Sequence, residues 1–546
     1  MAERARRPEG RDAGAEWSQR RGNRSQERHI EHEQPTTTYI KRILCAQAQA
    51  ERLAAKSATE SDDARTLEQL LPPLTSSNAI DVQLYAFIAV ILSNFVQIWY
   101  NRVTPDQQFV SEILQIIAHC TRGLEQRLRQ VDLEALLLDE LPQVLTEHVE
   151  VIRMAQRSNQ PEPTPFQQRT RYHTLRPHLA LSPVPIDAET SLLQHDNETA
   201  WCLLLVKQAL PLLLPPEDLQ NPCLEVLVSE IFSEMILRSG ILGRASEPWL
   251  LWDGIAKLVR SPRPSAQRAS SSSDQLEELG LLNPTTKERL PHSRSRWRLD
   301  TLTQASWLIV QGILTSYTMT RAAVVAVMQA ASIPARPSRT SYATSAERLS
   351  AFTNANSKRA ESPAEDLEKR PLISMSLWGC ISELLLLEQR MPWLSGILSL
   401  LQWLTLCGPG KLCDTNSRLD RLMSSKIHQE LLSANRLRSV LHAARNALFP
   451  GNSLAAPRIP PSDGEVIQIK RECVMAILDA IPGPIQAQFF ASIDKGEMVE
   501  EIGAELDLLG DAHINKHLIV SMIELVVVRL FPELAEANSV GRQSVH

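Results

Sequence analysis

The sequence predicts an all-α protein, and three observations carry that expectation. Apolar residues recur at helical spacing through most of the chain beyond residue 80. No run alternates apolar and polar residues convincingly enough to build a strand. The stretch Leu84–Tyr100, LYAFIAVILSNFVQIWY, is apolar almost all the way round a helix. Its polar members Ser93, Asn94 and Gln97, edged by Gln83 and Asn101, fall on one stripe roughly 100° wide. Those polar groups, with Asp81 before the run and Arg102 after it, leave it short of the roughly 20 apolar residues that a bilayer crossing requires. The run is therefore expected to be buried in protein, or against lipid that the protein holds.

The elements follow in order. Residues 1–36 are polar and mixed in charge, too poor in apolar surface to offset the cost of ordering, and are expected to be disordered. They also lack the apolar core of a signal peptide. Within Thr38–Leu71 one helix, IKRILCAQAQAERLAAK, and a connection ending at Pro72-Pro73 are expected, with further helices over 80–101, 106–129, 131–155 and 199–214. Thr104-Pro105-Asp106 places a capping hydroxyl before a first-turn proline, and Gly123 falls inside the helix that follows. Prolines 161, 163, 165, 177, 183 and 185 predict an extended loop over about 158–187. Helices are expected again from about Asn197 to Pro215, from Asn221 to Gly240 and from Pro248 to Val259. A serine-rich linker at Ser261–Ser273, within a loop reaching about residue 296, precedes a helix over about 299–331. Residues 332–370 read as a second linker, and helices return over 373–390, 392–407, 417–447, 463–481, 484–507 and 514–530. The apolar runs Leu302–Ala331 and Pro371–Cys407 are interrupted by polar residues, charges and Pro392, so buried helices are predicted, with partial insertion into one leaflet as the other reading.

Composition narrows the function. With 546 residues, 43% of them hydrophobic and 22% charged, the chain has material for two or three globular domains. A net charge of −6 argues against a nucleic-acid partner. The eight cysteines lie singly, without zinc-knuckle spacing, and read as reduced and mostly buried in a chain facing the cytosol. Cys407-Gly-Pro-Gly-Lys-Leu-Cys413 is a turn, since a phosphate loop needs a hydroxyl where Leu412 stands. His173 and His178 have no third ligand near them in sequence, so no metal is assigned and no cofactor is expected. No nucleophile or dinucleotide motif is present, and the expectation is a non-enzymatic protein. The linker arginines, Arg263, Arg268, Arg294, Arg296, Arg298, Arg336 and Arg339, read as solvated, with contact to anionic lipid as the other reading.

Specific residues carry a family resemblance. Phe95, Trp99-Tyr100, Pro105-Asp106 with Phe109, Arg127 through Asp132-Leu133, and Asp139-Glu140-Leu141-Pro142 followed by His148 resemble the opening of a PX-associated (PXA) domain, as found in the larger sorting nexins and their fungal relatives. The stretch Pro215–Trp252 resembles that domain's later part. Leu448-Phe449-Pro450-Gly451, Ile481-Pro482, Asn515-Lys516-His517-Leu518 and Leu530-Phe531-Pro532-Glu533-Leu534 resemble the sorting nexin C-terminal (nexin C) domain. The resemblance implies a PXA-like domain over 37–331, a nexin-C-like domain over 371–535 and a short tail at 536–546. The 332–370 connection is too short for the PX or RGS domain that larger members carry between the two.

In that family the two domains are thought to pack around a cavity suited to an acyl chain. The resemblance therefore implies a lipid-binding or lipid-transfer protein peripheral to endomembranes: endosome, vacuole or endoplasmic reticulum. The alternative is a trafficking scaffold that recruits other proteins and has no lipid cavity. Candidate cavity-wall residues are Phe87, Ile91, Phe95, Ile98 and Trp99 on the first apolar helix, and Trp307, Val310, Ile313 and Leu314 on the second, because an acyl chain binds by continuous hydrocarbon contact.

Overall fold

The computed structural model describes residues 36–45, 67–104, 108–157, 164–260, scattered positions between 310 and 336, 369–408, 413–448 except 416, and 461–534 except 493. The described residues form helices and turns with no strand among them, as the periodicity predicts. Expectations for 1–35, most of the first helix beyond residue 45, the capping at Pro105-Asp106, the 261–296 loop and most of the 332–370 linker lie outside the described residues.

Helix α1 covers residues 36–44. The apolar stretch begins α2 (Asn78–Ile91), passes through a π-helical turn (Leu92–Val96) and ends in α3 (Gln97–Val103). The stripe of polar residues explains the irregular turn in part: Ser93 Oγ donates to the Val90 carbonyl at 3.1 Å, and Gln97 Nε2 to that of Ile43 at 3.2 Å. Next comes α4 (Gln108–Gln130), with Gly123 inside it. Asp132 caps a single turn (Leu133–Ala135), which leads through a second π-helical turn into α5 (Leu141–Gln156).

The predicted proline-rich loop contains a helix, α6 (Pro165–Leu175). Pro165 takes the first helical position, where no N–H is needed, Thr164 Oγ1 accepts the Gln167 N–H at 3.4 Å, and residues 166–176 hold no proline to interrupt it. Helix α7 (Ala188–Leu213) starts nearly ten residues before the expected Asn197, because Asp187 Oδ1 accepts the Thr190 N–H at 2.8 Å and caps a turn that looks polar in sequence. Then follow α8 (Pro222–Glu230), continued as a π-helix over Ile231–Arg244, and α9 (Pro248–Arg260).

Beyond the connection, α10 (Ser376–Leu384) and α11 (Leu387–Arg390) are separated by Leu386, whose φ of 49° ends the first helix. They precede α12 (Pro392–Cys407). The predicted helix 417–447 is two, α13 (Arg418–Glu430) and α14 (Ala434–Leu448), because Ser433 Oγ accepts the Arg436 N–H at 3.4 Å and starts a new helix. A Ser462/Glu465 capping box opens α15 (Asp463–Ala480). The predicted 484–507 helix also divides, into α16 (Gly483–Phe489) and α17 (Lys495–Leu506), at Ala491 (φ 50°) and the Asp494 cap. Asp511 caps α18 (Ala512–Leu530) through the N–H groups of His513 and Ile514 at 2.9 and 3.1 Å.

The chain divides into two compact units. The first comprises Met1–Arg129, Leu210–Pro222 and His428–Pro460. Its core joins Ile40 and Leu44 of α1, Tyr85, Ala86 and Ala89 of α2, and Val110, Leu114 and Ala118 of α4. The carboxylate of Asp81, itself buried, accepts the N–H groups of Leu74 and Thr75 at 3.0 and 2.8 Å and fixes the entry to α2. Helix α14 packs on α2.

The second unit comprises Gln130–Ala209, Cys223–Ile427 and Pro461–His546. Here α9 lies along α15, with Trp252 and Ala256 packed among Cys473, Val474 and Met498, and Trp252 Nε1 donates to the Leu506 carbonyl at 3.1 Å. Helix α10 packs on α5, and α18 on α5, α6 and the π-helix 231–244. Asn515 Nδ2 donates to the carbonyls of Ser246 and Leu509, both at 2.9 Å, and Arg529 grips both oxygens of Glu140 at 2.6–2.7 Å. Apart from the Asn515–Leu509 bond, each contact joins chain from before the 332–370 connection to chain after it. Arg336, inside that connection, pairs with a residue on either side. The sequence reading leaves it in solvated linker, but it is buried and paired with Glu134 and Asp420 at 2.7 and 3.0 Å, because it is the counter-charge to two buried carboxylates.

Candidate functional site

The second unit leaves long apolar side chains in contact with solvent. Helix α12, PWLSGILSLLQWLTLC, has no charged residue and no buried one. Trp393, Leu400 and Trp403 are 59, 63 and 61% exposed, and Ile397, Leu398, Leu401 and Leu404 are exposed beside them. The expectation that Pro371–Cys407 forms buried helices is thus overturned for α12. Ser395, Gln402, Thr405 and Leu406 are half-buried on one side of the helix, where Gln402 Nε2 donates to the Ile373 carbonyl at 2.7 Å, so the apolar residues on the other side are left to solvent. Trp378, Ile381 and Leu384 of α10, Leu385 just after it, and Phe232, Met235 and Ile236 of the π-helix 231–244 are exposed in the same unit.

The sequence-predicted cavity residues divide. Phe87 is half-buried on α2, and Ile91, at its end, is exposed. Val310, Ile313 and Leu314 are helical and 45, 64 and 58% exposed, so they also belong to apolar surface that faces solvent. Trp307 and the side chains of Phe95, Ile98 and Trp99 lie outside the described residues.

Two recesses among the described residues bear on this. One of about 900 Å³ in the first unit opens between α1, α4 and the start of the Pro215–Asp218 turn; Leu71, Val110 and Leu114 form its apolar wall, and Glu112, His119 and Arg122 stand among its polar groups. Of the candidate residues that are described, Phe87, Ile91, Val310, Ile313 and Leu314, none lines it. The other, about 460 Å³, lies between Met391, Trp393 and residues 487–492.

A cluster of imidazoles was not foreseen from sequence. Helix α6 carries His173, and the first two turns of α18 carry His513 and His517, four residues apart on one face. One ring nitrogen from each of the three lies within 4.8 Å of the others. His178, weighed with His173 in sequence, instead meets Glu524 at 3.0 Å. The His-x-x-x-His spacing of His513 and His517 was the available signal; only the fold reveals that α6 supplies the third ring. Burial holds all three rings neutral, depressing His513 to about 4 and His517 to about 2, with the neighbouring histidines adding to the effect at His517; His173 is lowered in the same direction.

Comparison with known proteins adds a domain. Residues 77–258 match the PXA domain. The chain carries a PXA domain. This PXA domain begins at the turn before α2 and ends within α9, so it contains the first apolar helix and the π-helix 231–244. PXA domain protein 1 of Schizosaccharomyces pombe is 30% identical over 175 residues, 32% of this chain and 33% of that one. Sorting nexin-13 of Homo sapiens is 24% identical over 230 residues, 41% of this chain and 23% of its own length. An uncharacterized protein of Saccharomyces cerevisiae is 21% identical over 455 residues, 82% of this chain and 79% of that one. The alignments thus span a third or less of the first two relatives. No solved structure matches the chain. Among the described residues, no helix is long and apolar enough to cross a membrane.

Proposed function

We propose that this protein acts in sorting-nexin-like membrane traffic by binding lipid at an endomembrane surface, without catalysing a reaction. The carrying observation is α12: sixteen residues with no charge and none of them buried. Protein-docking surfaces set an apolar centre inside a polar rim. Helix α12 itself carries no charged residue, which favours hydrocarbon as the occupant, and Trp393 and Trp403 suit the boundary between headgroups and acyl chains. The PXA domain and the likeness to a sorting nexin support the setting. On this reading residues 371–535 are the nexin-C-like part, and α10 and α12 within it provide the lipid contact. Ile91, Val310, Ile313 and Leu314 are surface residues that lipid covers.

The test is flotation with vesicles of neutral and anionic phospholipid, together with lipid extraction and mass spectrometry of the purified protein. The wild type is expected to float or to carry phospholipid, and a Leu400→Glu/Trp403→Glu variant to lose either property with an unchanged melting temperature. A lipid-free wild type that does not float overturns the reading. Vesicle-independent capture of a trafficking protein, abolished by the same variant, would support the scaffold instead.

A further inference from the structure

We propose that His173, His513 and His517 form a binding site for a late first-row divalent cation, Zn²⁺ foremost, with a fourth position open to solvent. The geometry is that of a site close to assembled. His173 Nδ1 and His517 Nε2 are 3.4 Å apart. Two nitrogens at about 2.0–2.1 Å from a tetrahedral zinc lie about 3.4 Å from each other, so this pair already spans one edge of the coordination polyhedron. Drawing the other edges in from at most 4.8 Å needs shifts of about 1 Å, within reach of small side-chain rotations.

An independent observation points to a ligand. His513 is 6% exposed, and its Nε2 is buried with no hydrogen-bond partner. A buried polar nitrogen left unpaired is destabilising, and a bound cation would relieve it. His517 is 3% exposed, with the Tyr172 ring 5.0 Å from its own, while His173 is half-buried and leaves an approach from solvent.

The nearby charges tolerate a cation. Arg169 is neutralised by Asp511 at 2.6 Å and Lys516 by Glu198 at 2.7 Å. Neutral imidazoles are the ligand form zinc requires, and a set of three nitrogens with no carboxylate favours Zn²⁺, Cu²⁺ or Ni²⁺ over Mg²⁺ or Ca²⁺. Because α6 precedes the 332–370 connection and α18 follows it, the ion would join segments more than 300 residues apart in sequence.

The experiment uses the full chain without a polyhistidine tag, stripped with a chelator, dialysed against Zn²⁺ or Mg²⁺ and assayed by elemental mass spectrometry and thermal melting. About one equivalent of Zn²⁺ is expected to be retained, with Tm raised by several degrees, and Mg²⁺ is expected to do neither. His173→Gln, at a half-exposed position, should keep the metal-free melting temperature and bind Zn²⁺ at least tenfold more weakly. Substituted Co²⁺ should give the strong visible absorbance of four-coordinate cobalt in the wild type and lose it in H173Q. A wild type that retains no Zn²⁺, or an H173Q protein that retains as much as the wild type, overturns the proposal. Vesicle binding is read separately, so failure of the lipid reading leaves this result intact.

Discussion

At the scale of single residues, buried charge and buried imidazole dominate. The guanidinium of Arg336 is opposed by burial, but Glu134 and Asp420 more than offset that and raise its pKa above the ordinary value. Both ion pairs are almost wholly buried, so Arg336→Ala would strand two carboxylates and is expected to lower unfolding free energy by about 3–5 kcal/mol in urea melts. An unaffected midpoint would mean that water already reaches the site. His148 gives a pH prediction. Its Nδ1 lies 2.8 Å from the Tyr172 hydroxyl, its Nε2 has no partner, and burial, reinforced by Arg176, lowers its pKa to about 4. The unfolded chain titrates near 6.5 and so binds more protons than the native state in between. The stability this group contributes is complete above about pH 6.5 and is lost as pH falls towards 4, on the order of 3 kcal/mol across that window. Stability measured at stepped pH should therefore fall less steeply for His148→Gln than for the wild type; equal slopes would count against the assignment. Neither role was legible in sequence. Arg336 reads as one linker arginine among seven, and His148, though it carries part of the PXA resemblance, gives no sign of what faces it.

At the scale of elements, periodicity located the helices well and their interruptions badly. Boundaries at α9, α12 and α15 fall within a residue or so of expectation, because Pro248, Pro392 and Ser462 mark their starts directly. The breaks at Leu386, Ser433 and Ala491 were missed, since neither a positive φ at a non-glycine residue nor a serine starting a new helix leaves a strong local mark. α6 was missed for the opposite reason: prolines around a helix read like prolines within one. Gly123 lies inside α4, and a methyl group added there would meet nothing within 4 Å. Gly123→Ala is expected to stabilise the protein by about 0.5–1 kcal/mol, seen as a higher denaturant midpoint at constant slope. A loss of stability would show that the backbone at this position is not regular helix.

At the scale of the whole molecule, the second unit is built from chain on both sides of the 332–370 connection, and so is its core around Trp252, Cys473 and Met498. A fragment ending at residue 331 lacks α15, α17 and α18, leaving Trp252, Ala256 and Leu242 without their partners. Such a fragment is expected to melt without a sharp transition, and co-expression with residues 369–546 should restore one. A fragment that unfolds cooperatively by itself would show that the amino-terminal part closes its own core.

The sequence by itself determined the all-α class, the position of most helices and the PXA likeness, because these rest on spacing along a few turns of chain. Tertiary structure alone decided which apolar faces are covered and which charges are paired. Leu84–Tyr100 and α12 read alike as oily helices, yet the former places Tyr85, Ala86 and Ala89 in a core while the latter holds no fully buried residue. It also decided that His173 would meet His513 and His517, since a ligand set drawn from segments more than 300 residues apart has no local pattern to announce it. Burial and coordination are properties of what the rest of the chain brings alongside, and that is fixed only when the helices pack.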